Sequence, residues 1–168
     1  TAKAFSELNY CFDDTLKKTQ CELRLLRDDS RGISIFKFFE IIKTFISNST
    51  SSGIKVKFKR PVDLDSEAYL PIPYRDLVII LDNIFNNCNE EVILNELKQF
   101  DIILEKTETI EISFINPISK GKKKKYSSGV GFERISELIS GQEKVLFKQK
   151  KLENTFEQKL VFLETYRV

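Results

Sequence analysis

The 168-residue chain contains no histidine, no methionine and no tryptophan. The missing histidine is the most restrictive of the three. It excludes a histidine-based triad, a histidine general base, a histidine metal ligand and a phosphohistidine within these residues. Cysteine is scarce as well. Cys11, Cys21 and Cys88 form no Cys-x-x-Cys pair and are odd in number, so a reducing, cytoplasmic environment is expected rather than a disulfide framework. No apolar run approaches the roughly 18 residues needed to span a bilayer, and no secretory leader is visible. A large excess of one charge is also lacking: the net charge is +2, too small by itself to imply a nucleic-acid partner. The chain opens on Thr1, as expected of a piece of a longer protein or of a processed form.

What is present suits one globular domain with a helical extension. Hydrophobic residues make up 41% and charged residues 31%, and phenylalanine is abundant at 14. In residues 4–27, Phe5, Leu8, Phe12, Leu16, Leu23 and Leu26 recur at helical spacing with no Gly or Pro between them. Residues 28–32 are a break. Residues 33–47 read as an amphipathic helix, and the Ser/Asn/Thr-rich stretch 47–53 as a loop. Ile54, Val56 and Phe58 alternate with lysines in a one-sided strand ended by Pro61. A short strand is expected over 69–72, and Pro73 opens a helix from 74 to about 88. A further helix is expected around 91–104, a strand through Ile110, Ile112 and Phe114, and a polar, lysine-rich loop over 116–128. A helix over 131–140 ends at Gly141. Two closing strands, 144–150 and 156–164, make an antiparallel pair. This mixture predicts an α+β two-layer sandwich rather than a doubly wound parallel fold.

Two segments carry chemistry. The first is the helix through Asn83, Asn86, Asn87 and Asn89. Leu77, Ile80, Leu81, Ile84, Phe85 and Cys88 form its apolar side, while Asn83 and Asn87, four apart, share another face. Asparagine is a poor helix former because its side chain competes for backbone hydrogen bonds. Four of them near one helix end fit either a frayed, Asn-capped terminus or a polar face turned towards a ligand. An amide oxygen is a hard donor suited to one position of a magnesium shell. The second segment is Ser127-Ser128-Gly129-Val130-Gly131-Phe132, in front of a helix. Glycines let backbone pass close to phosphate, and the helix start offers free N–H groups; many such turns, however, are only tight connections. Between the two lies Lys120-Gly121-Lys122-Lys123-Lys124-Lys125, a solvated loop or a short basic patch.

Asn83-Ile84-Phe85-Asn86-Asn87-Cys88 resembles the N-box of the GHKL ATPase superfamily in its sensor-histidine-kinase form, and the glycine pair resembles that superfamily's second glycine box. The resemblance covers roughly residues 33–165. It implies the two-layer α/β sandwich of the histidine-kinase, gyrase and chaperone ATPases, with a mixed sheet, binding ATP and Mg2+. Asn87 matches the magnesium-coordinating asparagine. Asn83 occupies the position where the hydrolytic branches carry a water-activating glutamate, which makes it the catalytic-position residue here, and as an amide it cannot serve as a general base. The resemblance also assigns Ser128, Gly129, Val130, Gly131 and Phe132 to nucleotide binding, with Phe132 in place of the usual leucine, and a lid lysine such as Lys122 to the phosphates. Asn116 stands where the family's Asp-x-Gly motif places the adenine-binding aspartate, and Pro117 and Ile118 replace the rest of that motif; some quorum-sensing kinases are similar in this.

The implied activity is transfer of the γ-phosphate to a histidine outside this chain. The implied partners are ATP, a phosphoacceptor histidine domain and a response regulator, with no nucleic acid. Residues 1–30 would be an N-terminal helix, either part of a dimerisation hairpin that makes a homodimer or a simple packing helix, and residues 31–168 the ATP-binding domain, the cytoplasmic part of a membrane sensor if the parent is one. The alternatives are a nucleotide-dependent switch that is not a kinase, and a degenerate interaction module without nucleotide.

Overall fold

A computed structural model describes residues 32–65, 67–94, 98–118 and 130–167, with Leu94 and Val130 placed by their backbone alone. The expected N-terminal helix over 1–30 lies outside the described residues. The elements are β1 (Ile33–Ser34), α1 (Ile35–Ser51), β2 (Lys55–Lys59), β3 (Tyr69–Leu70), α2 (Tyr74–Leu94), β4 (Gln99–Lys106), β5 (Ile110–Pro117), α3 (Val130–Ser140), β6 (Val145–Lys151) and β7 (Thr155–Phe162).

The main sheet has the order β2-β4-β5-β7-β6. Only β2 and β4 run parallel; the remaining pairs are antiparallel. The sheet is therefore mixed, and the strand alternation gives it two unlike faces. Its inner face carries Val56 and Phe58, Phe100, Ile102 and Leu104, Ile110, Ile112 and Phe114, then Leu160 and Phe162, then Val145 and Phe147; all of these belong to or pack against one core. Its outer face carries Lys57, Asp101, Glu111, Lys159 and Lys148, among others. The helices cover the inner face, as expected for a two-layer α+β sandwich.

The apolar face of α2 explains its place over the sheet centre. Leu77, Ile80, Leu81, Ile84, Phe85, Cys88 and Val92 are all buried. Phe85 is the anchor. Its ring stacks on Phe45 of α1 at 4.9 Å and meets Phe100 and Phe114 edge-on at 5.8 and 5.5 Å. Burial of such a side chain contributes about 1.5–3 kcal/mol, which ties the two helices to two strands at one point.

Four sequence expectations change here. The helix expected over 91–104 does not exist: α2 runs on to Leu94, and β4 begins at Gln99. Phe100, Ile102 and Leu104 alternate with partly exposed residues, a two-residue period that seats them on the sheet's inner face between β2 and β5. The first helix begins at Ile35, not 33, because Ile33 and Ser34 pair with Leu70 and Tyr69, and Ser34 caps the helix by accepting from the Lys37 N–H at 3.3 Å. The same helix runs to Ser51 through the stretch expected to be a loop. Thr44, Thr50, Ser51 and Ser52 each donate their hydroxyl to the carbonyl four residues back, which satisfies the side chains without breaking the helix. Asn116 and Pro117, expected to begin a loop, close strand β5 instead. No helix among the described residues is long and apolar enough to cross a membrane.

Candidate functional site

The inner face of the sheet is apolar except at one end. There the cross-strand rows place Asn116 beside Phe156, which stands beside Lys151, and Phe114 beside Gln158, which stands beside Gln149. The C-terminal half of α2 lies over this end and brings Asn87 and Glu91 to it, and the start of α3 brings Phe132. Together Asn87, Glu91, Asn116, Ile118, Phe132, Lys151, Phe156 and Gln158 line a cavity of about 200 Å³.

Apolar walls and amide polar groups characterise this cavity, and the charged side chains of half-buried Glu91 and exposed Lys151 complete its lining. Phe132 and Phe156 meet edge-on at 6.0 Å, with their rings 68° apart. Ile118 adjoins them, held by its N–H donating to the Asn154 carbonyl at 2.9 Å, which ties the end of β5 to the β6–β7 turn. Beneath lies a buried chain of polar groups. Asn116 is 1% exposed and Gln158 0%. The Asn116 amide nitrogen donates to the Pro117 carbonyl at 3.2 Å. The Cys88 thiol, buried on α2, donates to Asn116 Oδ1 at 3.6 Å, and Gln158 Nε2 donates to Cys88 Sγ at 3.7 Å. Two buried amide atoms next to the cavity have no hydrogen-bond partner among the described residues: Asn87 Nδ2 and Gln158 Oε1. Such atoms cost about 1–3 kcal/mol each if nothing meets them, so their position on one cavity marks it for a polar ligand or water.

Asn83 sits one turn before Asn87 on α2, half-buried. Its Nδ2 donates back to the Ile79 carbonyl at 2.7 Å, which leaves its Oδ1 facing α3. Gly131 lies directly opposite: a Cβ there would be 3.2 Å from Asn83 Oδ1 and 3.8 Å from Asn87 Nδ2. The asparagine helix and Gly131 therefore meet. A second tie between the same two helices is Gln142, just after α3, whose Nε2 donates to Asp76 of α2 at 3.0 Å.

Of the expected site residues, Asn87, Asn116 and Phe132 line the cavity, and Asn83 and Gly131 adjoin it. Val130 opens α3. Lys122, Ser128 and Gly129 lie outside the described residues. Sequence reasoning missed Gln158, Phe156, Lys151, Ile118 and Glu91 as lining residues. Gln158 carried a signal: it interrupts the inward apolar series of β7 between Phe156 and Leu160.

The described groups with displaced titration lie away from this cavity. Lys159 hydrogen-bonds Glu111 across the outer face of the sheet, which lowers the Glu111 pKa and raises that of Lys159. Glu164 raises the Lys144 pKa, and Arg167 lowers that of Asp65. The cavity floor is thus built from neutral amides and a thiol. Among the described residues, no three His, Cys, Asp or Glu side chains cluster as a metal cage.

A mixed five-stranded sheet with its helices on one face, the α+β form expected from the sequence, is the fold that this chain shares with solved histidine kinase catalytic domains. The chain is similar to the histidine kinase AdeS of Acinetobacter baumannii, with 12% identity and a TM-score of 0.54 over 89% of this chain and 78% of that one. It is similar to the catalytic domain of the histidine kinase ThkA, with 13% identity and a TM-score of 0.55 over 74% of this chain and 90% of that one. It is also similar to full-length ShkA, solved in complex with AMPPNP, with 12% identity and a TM-score of 0.59 over 82% of this chain and 32% of ShkA, so it spans about a third of that protein. No protein-family model and no curated protein sequence matches the chain.

Proposed function

We propose that the chain is the ATP-binding domain of a sensor-histidine-kinase-like protein, and that the γ-phosphate passes from it to a histidine outside these residues. One observation carries this reading: the asparagine helix and Gly131, far apart in sequence, meet beside a single cavity at which two buried amide atoms have no partner among the described residues. A domain that had abandoned its ligand would gain stability by replacing those amides with apolar side chains, so the observation favours a ligand-binding domain over a degenerate interaction module.

The residues present fit ATP and magnesium. The cavity, about 200 Å³, falls short of the roughly 300–1,000 Å³ of pockets that enclose whole drug-sized ligands; it is of a size for a nucleotide's base, with the phosphates outside it. Asn87 would hold Mg2+ through its amide oxygen, and magnesium needs few protein ligands because it retains water and takes phosphate oxygens. When bound, the ion neutralises charge on the phosphates. Asn83 stands at the catalytic position as a neutral amide, which orients and hydrogen-bonds but takes no proton from water. That favours transfer to another side chain over hydrolysis. Asn116, Phe132 and Gly131 complete the nucleotide side, together with Ser128, Gly129 and Val130, and Lys122 supplies positive charge to the phosphates.

Since the chain has no histidine, the phosphoacceptor belongs to another segment or chain. A response regulator as the downstream partner, a homodimer through residues 1–30 and a cytoplasmic location complete the reading. Calorimetry with Mg-ATP tests it: binding that weakens when magnesium is chelated is expected. No heat and no thermal shift at millimolar Mg-ATP overturns it. Transfer of label from ATP to a histidine-bearing partner segment separates the kinase from a nucleotide-dependent switch.

A further inference from the structure

The floor of the cavity fixes which atom is left to read a ligand. A backbone carbonyl can only accept, so the Pro117 carbonyl holds Asn116 with its nitrogen towards it and its Oδ1 turned to Cys88. The Cys88 thiol has one proton, and Asn116 Oδ1 takes it. The Cys88 sulfur can then only accept from Gln158, so Gln158 must present Nε2 to it. That leaves Gln158 Oε1 as an acceptor, wholly buried, without a partner among the described residues, at the cavity. Two side chains, Cys88 of α2 and Asn116 of β5, with the Pro117 carbonyl, thus set the orientation of the Gln158 amide on β7, and the chain of donors runs in one direction only.

The walls define what could meet that oxygen. Phe132, Phe156 and Ile118 offer apolar surface to a flat ring, Glu91 and Lys151 add one charge of each sign to the lining, and the Asn116 oxygen is already engaged by a thiol. From this geometry we infer that Gln158 is the specificity-determining residue of the cavity, its Oε1 accepting a hydrogen bond from the exocyclic amino group of a planar heteroaromatic base. Resting on the ATP-binding reading above, this makes Gln158 the atom that reads the 6-amino group of adenine. Asn116 and Cys88 are positioning residues that hold the amide in register.

The test compares the binding of ATP and of purine riboside triphosphate, which lacks only the 6-amino group, at one magnesium concentration, in the wild-type chain and in Gln158→Met. Methionine keeps the length and packing of the side chain and removes the acceptor. Wild type should bind ATP at least about tenfold more tightly than the analogue, the scale of one buried hydrogen bond. Gln158→Met should bring that ratio close to one by weakening ATP while leaving the analogue nearly unchanged. Loss of packing alone would weaken both nucleotides together and leave the ratio intact, and that result overturns the inference. A wild type that binds both nucleotides equally overturns it too, while leaving ATP binding standing. A wild type that binds neither overturns both readings. Should a thermal melt show Gln158→Met unfolded, Gln158→Asn takes its place with the same two outcomes, since it withdraws the oxygen by one methylene while keeping the amide.

Discussion

Gly131 at the start of α3 faces Asn83 on α2 so closely that a Cβ would lie 3.2 Å from the asparagine Oδ1. Gly131 lies inside a helix with no positive φ, so the glycine is required by the approach of its neighbour and not by its own backbone. Asn83 has little room to yield, because its Nδ2 is held by the Ile79 carbonyl at 2.7 Å. Gly131→Ala should therefore displace the Asn83 amide. The gain in helix propensity, about 1 kcal/mol, offsets the strain, so the melting temperature should move little. Mg-ATP affinity should fall about five- to tenfold, the scale of about 1 kcal/mol. Calorimetry beside a thermal melt checks this, and an unchanged affinity would reduce the contact to helix packing.

Asn87 and Asn83 should differ from each other. Asn87→Ala removes the proposed magnesium ligand and a buried amide atom that no described residue meets. Nucleotide affinity in magnesium should drop by about 1–3 kcal/mol, by analogy with hydrogen bonds to charged groups, while fold stability holds or rises, since alanine is the better helix former. Asn83→Ala should weaken binding less. Equal magnesium-dependent affinities for wild type and both variants would remove this helix face from the site.

Phe85 is the test of the fold. Its ring contacts Phe45, Phe100 and Phe114 within 5.8 Å. Phe85→Ala should cost about 3–5 kcal/mol, measurable as a lower denaturation midpoint in urea. A loss under 1 kcal/mol would mean that α1 and α2 are not joined through this ring.

The outer face of the sheet should make the fold sensitive to acid. Lys159 donates to Glu111 at 2.9 Å and lowers its pKa. A depressed carboxylate pKa contributes stability that is fully present above the unfolded value, about 4.3 for glutamate, and is lost as pH falls through the folded value. Glu111→Gln should thus flatten the fall in stability below about pH 5, with a difference under about 1 kcal/mol at pH 7 because the pair is partly exposed. Equal slopes for wild type and variant between pH 5 and pH 3 would assign the acid sensitivity to other groups.

The sequence by itself determined the chemistry that the chain lacks and the faces that it offers. With no histidine, the proposed phosphoryl transfer can end on no histidine of these residues, whatever the fold. The helical spacing from Leu77 to Cys88 set one buried side of α2, and the spacing of Asn83 and Asn87 set another, because both follow from the 3.6-residue turn alone. Strands β2 and β5 were legible for the same kind of reason, in a period of two. Strand β4 was not: Phe100, Ile102, Ile103 and Leu104 form a mostly apolar run that suits a helix as well as a strand, and only pairing with β2 and β5 decided between them. The cavity floor was decided entirely by tertiary structure. Asn116 and Gln158 are 42 residues apart, and Cys88 lies 28 residues before Asn116. The direction of each hydrogen bond among them depends on the Pro117 carbonyl at the end of the chain of donors. No local pattern encodes that order, because a side-chain amide can face either way until a neighbour brought in by folding leaves it one choice.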